Sequence, residues 1–306
     1  MNCKITITRS LSRVLFATLY IIDVVGLYRI SGDVSLAASG AAAIWVILFF
    51  QMGISLLSLR VHSLANCKRG DAEFLKSCMD EVLSRSEYVG RKRKKIRLWI
   101  ADNESLNAYN IANNIIVNRS LLQLGDMNML EGLLAHELSH SYCCDWWFTA
   151  LLSLNIFIGI CYAGAAFFGA AIVIFLIVAL LVGLLFSSWL GVIAGGYAFK
   201  FIKSCFKLFT RGFYYVTKLL SAFLSRRQEN EADRYACLLG YGSALLNFFR
   251  LAERVERHSV EKSWIEDLLS EHPTNYVRAN RIERMQDAIN RQEEELHEAL
   301  PYENPF

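Results

Sequence analysis

Acidic residues are absent between Asp145 and Glu229, and from 146 to 199 there is no charge of either sign. So long an uncharged stretch has no place on the surface of a water-soluble domain and has to be covered by lipid or by protein. The eight cysteines (Cys3, Cys67, Cys78, Cys143, Cys144, Cys161, Cys205, Cys237) form no Cys-x-x-Cys pair. No disulfide framework can be read from them, and reduced thiols facing a cytosol are the simpler account. The basic segment 1–13 is not followed by the small-residue cleavage site and soluble chain of a removable signal peptide, because a second apolar block arrives almost at once.

What the chain has in quantity is apolar surface. Of 306 residues 54% are hydrophobic, the mean hydropathy is +0.29, and the excess lies in a few blocks, the signature of a membrane protein. Residues 14–30 and 34–59 read as two spans. Asp23 in the first must face another helix or a polar cavity, as a partnered packing residue before a proton relay. Arg60, His62, Lys68 and Arg69 follow the second span, so both ends of this hairpin are basic and expected on the cytoplasmic side. The net charge is only +3, but Lys200, Lys203, Lys207, Arg211, Lys218, Arg226 and Arg227 all lie in the acid-free interval. That bias beside apolar blocks is the positive-inside pattern and not a nucleic-acid footprint. One helix over 146–199 would extend about 80 Å, far beyond a hydrocarbon core of about 30 Å. Two spans are therefore expected there, with a turn near the small residues at 164–171 and Trp146 and Trp147 at the interface. The fold class read here is a mainly α membrane protein with four transmembrane helices: hairpins at 1–60 and 146–200, and an α-rich domain with a small β-sheet split between 61–145 and 201–306.

In the first half of that domain, 71–84 has helical spacing, and 96–101 and 113–118 read as strands. The run Arg91 to Lys95 is expected as a solvated basic loop near an anionic membrane surface. Asn128 and Glu131 offer a cap and third-position carboxylate for a helix. That helix carries His136-Glu137-x-x-His140. Two histidines four apart share a helix face, which suits zinc ligation, and a glutamate beside them suits general-base work on water. The site needs a third ligand. Glu229 and Asp233, also four apart, follow the apolar hairpin: one is able to bind zinc and the other to brace a ligand histidine through its second ring nitrogen. Glu231 lies off that face. Helices are expected at 241–257, 263–269 and 274–295, with a break at Glu271-His272-Pro273 where His272 reads equally as a cap or as a site residue.

Taken together, the His136-Glu137-x-x-His140 helix, the apolar stretch after it, Glu229-x-x-Ala232-Asp233, His272-Pro273 and the downstream Arg278 resemble the HtpX-type membrane zinc metalloproteases, gluzincins related to the CAAX prenyl proteases. Asn107-Ala108 is similar to the family's Asn-Ala pair preceding an edge strand. The resemblance implies one Zn2+ per chain on His136, His140 and Glu229, and Glu137 as catalytic base. It implies Asp233 behind a ligand, and His272 and Arg278 lining the site, His272 stabilising the oxyanion. It also implies a polypeptide substrate, misfolded or membrane-borne, lying along Asn107, Ala108, Ile115, Ile116 and Val117 as an added strand. The implied location is a bacterial inner membrane with the active site cytoplasmic. Prenyl-protein processing and a non-catalytic membrane scaffold are the competing readings. An intramembrane protease conflicts with the polar approach 125–131 to the motif.

Overall fold

The computed structural model describes residues 11–256 and 273–299. The chain divides into two compact units, one formed by 1–150 with 224–306 and one by 151–223.

The first unit begins with α1 (Leu11–Ser31) and α2 (Val34–Ser58). They are joined at Gly32, whose φ of +66° suits glycine, and at Asp33, whose carboxylate accepts from the Ser35 N–H at 2.7 Å as a helix cap. Trp45 Nε1 donates to Tyr20 OH at 3.1 Å across the pair. The Trp45 and Phe49 rings meet Trp147, with centroids 5.6 and 5.5 Å away. Trp147, expected at a membrane interface, is thus packed against α2.

A four-stranded sheet follows in the order β1 (Val61–Ser63), β2 (Arg97–Ala101), β4 (Asn114–Asn118), β3 (Ala108–Ile111). Only the β2–β4 pair is parallel. β2 and β4 match the two expected strands. β1 and β3 are too short to carry a readable alternation, and only pairing with a neighbour defines them. All five residues of β4 are buried. Its Ile115 joins Leu75 and Val82 of α3 (Arg69–Tyr88), Leu134 and Leu138 of α5 (Met127–Cys143), Leu245 and Phe249 of α8 (Gly242–Glu256) and Ile282 of α9 (Asn275–Ala299) in one sealed core. Each such side chain contributes roughly 1.5–3 kcal/mol by leaving water. A short α4 (Arg119–Gln123) links β4 to α5.

Three local expectations are revised. α5 starts at Met127, because Asp126 caps it by accepting from Met129 N–H at 2.9 Å; Glu131, expected as a partner in the cap, is buried inside the helix. The run Arg91–Lys95 is not a free basic loop. Arg93 pairs with Asp80 (2.8 Å) and Glu87 (3.2 Å), and Lys94, with Arg13 from α1, donates to the carbonyls of Ser141 and Tyr142 at the α5 C-terminus. Cations there satisfy end carbonyls and oppose the negative end of the helix dipole. The expected helix at 263–269 lies outside the described residues.

The third revision concerns the spans. α6 (Asp145–Leu185) runs unbroken through 164–171, and the chain turns instead at Phe186 and Ser187 before α7 (Ser188–Leu238). Alanine is the best helix former, and a glycine inside an apolar run weakens a helix by only about 1 kcal/mol. The break falls where a serine hydroxyl can replace a helix bond: Ser187 Oγ accepts from Leu190 N–H at 3.3 Å. Among the described residues three helices, α1, α2 and α6, are long and apolar enough to cross a membrane. The expected fourth is not among them, since α7 is free of charge only from Ser188 to Phe199 before Lys200 intervenes, short of the roughly 20 residues a crossing needs.

Within the second unit, α6 and α7 meet backbone to backbone at Gly191 and Gly195, one turn apart. A Cβ on Gly191 would stand 2.2 Å from the Ala179 carbonyl oxygen, and one on Gly195 2.9 Å from that of Phe175. Small residues at this spacing let helices approach closely enough for dispersion to hold them without a hydrophobic drive. Gly191→Ile should therefore lower the thermal midpoint in detergent by several degrees, whereas Gly159→Ile, where a Cβ meets nothing within 4 Å, should leave it in place. Equal midpoints for the two variants would refute the contact.

Candidate metal centre

The site is assembled inside the first unit from α5 and the C-terminal part of α7. Helical spacing puts His136 and His140 one turn apart, their ring centroids 4.8 Å apart and their Nε2 atoms 3.1 Å apart. Glu229 reaches the same point: its Oε2 is 3.3 Å from His136 Nε2 and its Oε1 3.9 Å from His140 Nε2. Zinc–nitrogen and zinc–oxygen bonds of about 2.0–2.1 Å in a tetrahedron require ligand atoms about 3.3 Å apart. The three residues thus form a group able to hold a metal ion, and two imidazoles with a carboxylate are a donor set that suits zinc.

Each imidazole is fixed from behind. His136 Nδ1 lies 2.9 Å from Asp233 Oδ1, and His140 Nδ1 lies 2.8 Å from Asp145 Oδ2. With Nδ1–H donating to a carboxylate, the lone pair of each ring sits on Nε2 and faces the common point. Asp233 was expected in this place, four residues after Glu229 on one face of α7. Asp145 was not expected. It follows His140 by five residues, beyond helical register, and it comes back only because Cys144 ends α5 in the left-handed conformation (φ 60°). Its one signal in the sequence is being the last acid before the long acid-free interval.

Arg278, expected to line the substrate path, is buried at 8% exposure and held by the protein's own carboxylates. Its Nε donates to Asp233 Oδ2 at 3.1 Å, its Nη2 to Asp233 Oδ1, and its Nη1 lies 3.0 Å from Glu229 Oε2. Its guanidinium also covers the Phe249 ring at 4.0 Å. A planar fork of this kind fixes a carboxylate in two directions at once, which a lysine could not do. His272 lies outside the described residues.

The cluster is rich in anions. Glu137, Asp145, Glu229 and Asp233 are all buried, against one guanidinium. Burial and Arg278 push the His136 imidazole down, but Asp233 and Glu229 outweigh them and hold it up to about 9. His140 is likewise raised, its burial outweighed chiefly by Asp145. Burial pushes the Glu137 carboxyl above its usual range, with the two imidazoles opposing. Asp233 ends below its usual value because Arg278 and His136 overcome its burial. A field that draws positive charge to the imidazoles is one in which a divalent cation is welcome.

The substrate side needs correcting. β4, expected to accept an added strand at Ile115, Ile116 and Val117, has β2 on one side and β3 on the other, so its backbone groups are already paired. The sheet edge next to β4 is β3, which Ala108 opens directly after Asn107. Asn118 N–H donates to Asn107 C=O at 3.1 Å. Strict antiparallel alternation then turns Tyr109 and Ile111 toward β4 and leaves the backbone of Ala108 and Asn110 facing outward. Asn110, also unforeseen, ties this edge to α5: its Nδ2 donates to the Glu137 carbonyl at 3.2 Å and to Ser141 Oγ at 2.5 Å, and Ser141 Oγ in turn donates to Ala112 C=O at 3.1 Å.

If Asp145 sets the His140 ring, Asp145→Asn should weaken metal retention roughly 10–100-fold, measured by competition with a chromogenic chelator. Unchanged retention would mean that the ring is oriented by packing alone.

The model of Peptidase family M48 matches residues 71–286, more than two thirds of the chain. Among solved structures, the crystal structure of Ste24p from S. mikatae is similar, with 14% sequence identity and a TM-score of 0.47. The match covers 89% of this chain and 63% of that one, so this chain spans less than two thirds of its length. No curated protein gives a significant match. With a family match of that extent, reaching from α3 through both ligand helices into α9, this chain belongs to peptidase family M48, whose members are metal-dependent peptidases.

Proposed function

We propose that the chain is a membrane-anchored zinc metalloendopeptidase that hydrolyses peptide bonds of misfolded or membrane proteins at the cytoplasmic face. The observation that carries this reading is the convergence of two Nε2 atoms and the Glu229 carboxylate, each imidazole braced by its own aspartate, with Glu137 buried next to His136. A zinc ion on His136, His140 and Glu229 supplies Lewis-acid polarisation of the scissile carbonyl and a lowered pKa for water.

The other tasks belong to the chain's own groups. Glu137 takes the proton from the attacking water and delivers it to the departing amine nitrogen. A carboxyl raised by burial suits that two-way role, being basic enough to accept the proton and acidic enough to return it. Asp233 and Asp145 keep the imidazoles in the tautomer that presents Nε2. Arg278 positions Asp233 and Glu229. His272 is assigned the oxyanion by the resemblance noted above.

The peptide is taken to lie as a further strand on β3, pairing with the outward backbone of Ala108 and Asn110. Backbone pairing reads extended conformation before side chains, which suits unfolded or exposed segments of many sequences. The cytoplasmic placement is supported by the basic residues flanking α1 and α2, Arg13 at one end and Arg60, Lys68 and Arg69 at the other.

Glu137→Gln keeps the shape and removes the base. Cleavage of casein by the purified, zinc-loaded protein in detergent should fall about 10²–10⁴-fold with metal content unchanged, and wild-type turnover by this variant would overturn the reading. Asn110→Ala removes both hydrogen bonds by which this side chain ties the edge strand to α5. At about 0.5–1.5 kcal/mol per hydrogen bond, KM for a peptide substrate should rise roughly 3–10-fold at constant metal content; an unaltered KM would place the substrate elsewhere.

A further inference from the structure

The second unit, 151–223, contains five cations (Lys200, Lys203, Lys207, Arg211 and Lys218) and no anion. The whole chain has a net charge of +3, so the remainder carries −2. The charge is therefore segregated, and it is also aligned. All five residues are on α7, and at 100° per residue they fall within an arc of about 80° along some 27 Å of helix. Tyr214 shares that arc and adds a hydroxyl. Lys200, Lys203, Lys207 and Arg211 are exposed, Lys200 resting over the Tyr197 ring at 5.5 Å.

The flanks of the stripe decide what it faces. Phe201 is 70% exposed, Leu208 75% and Phe223 67%. A helix bathed in water does not present a cationic line beside a row of bare large apolar side chains, and an acidic protein partner would account for the charges but not for these neighbours. A bilayer surface accounts for both, since the apolar flanks enter the acyl boundary while ammonium and guanidinium groups meet phosphate oxygens. The same helix begins with the uncharged stretch Ser188 to Phe199 and acquires its first cation at Lys200, the order expected where a helix leaves hydrocarbon and enters the headgroup layer.

We infer that the α7 stripe Lys200–Lys203–Lys207–Arg211–Lys218 is a docking surface for the headgroups of anionic phospholipid in the bilayer that anchors the chain. The inference rests on the membrane reading given above, and it adds a lipid class and the residues that select it. Without anionic lipid at the stripe, Lys200, Lys203, Lys207 and Arg211 repel one another along α7; with it they are neutralised in place.

The test uses the full chain, delipidated in detergent and offered equal phosphatidylglycerol and phosphatidylcholine, with bound lipid counted by native mass spectrometry. Wild type should retain phosphatidylglycerol over phosphatidylcholine by roughly tenfold at low salt and lose the preference as salt rises. Lys200→Gln, Lys203→Gln, Lys207→Gln and Arg211→Gln together should abolish the preference. The matching variant with lysines changed to arginine should keep it, and Lys76→Gln with Lys95→Gln, which remove charge elsewhere, should not alter it. Casein cleavage in detergent should persist in the quadruple variant, which separates this inference from the peptidase reading: loss of the preference leaves turnover intact, while failure of the Glu137→Gln test leaves lipid selectivity intact. Equal retention of the two lipids by wild type, an undiminished preference in the quadruple variant, or displacement of phosphatidylglycerol by a soluble polyglutamate peptide would each overturn it.

Discussion

Two imidazoles four residues apart on α5 become a metal centre only if both rings are turned so that Nε2 faces the same point, and the site depends on the two carboxylates that enforce this. Asp233 sets His136 and Asp145 sets His140, at 2.9 and 2.8 Å. The two come from different helices: Asp145 from the first turn of α6, Asp233 from the end of α7 beside Glu229. A lone His-Glu-x-x-His helix leaves ring rotation open. The second carboxylate on each ring closes it.

Gathering four buried carboxylates is expensive unless their charge is answered, and Arg278 answers part of it. It holds Asp233 with two donors and approaches Glu229 with a third. Removing one partner of a buried ion pair typically costs about 3–5 kcal/mol, because the charge left behind has no water. The arginine therefore joins α9 to the ligand-bearing end of α7 and, with α5 and the first turn of α6, makes the centre a product of four helices. The remaining excess of negative charge raises both imidazoles and gives a cation its place.

The sheet serves the centre from its edge. β4 is an interior strand and belongs to the core, whereas β3 is open on one side and is tied to the helix of the motif through Asn110 and Ser141. Interior strands are built for packing and edges for recognition, since only an edge has backbone donors and acceptors to share. The distinction could not be read from 113–118, whose apolar residues look alike at an edge or in the middle.

The sequence alone determined whatever depends on local periodicity: α1 and α2 to within three residues at each end, strands β2 and β4, the face shared by His136 and His140, and the face shared by Glu229 and Asp233. A helix repeats every 3.6 residues whatever surrounds it, so residues four apart stay neighbours. What only the tertiary structure decided is where the chain departs from that repeat or meets a distant segment. The left-handed Cys144 brings Asp145 back to His140. Neighbouring strands make β3 an edge and β4 an interior strand. The α6 helix passes through 164–171 because glycines inside an apolar helix need not break it, and Arg278 turns to the carboxylates of α7. Each of these is fixed by a partner far away in sequence or by a single backbone dihedral, and neither leaves a period for composition or spacing to reveal.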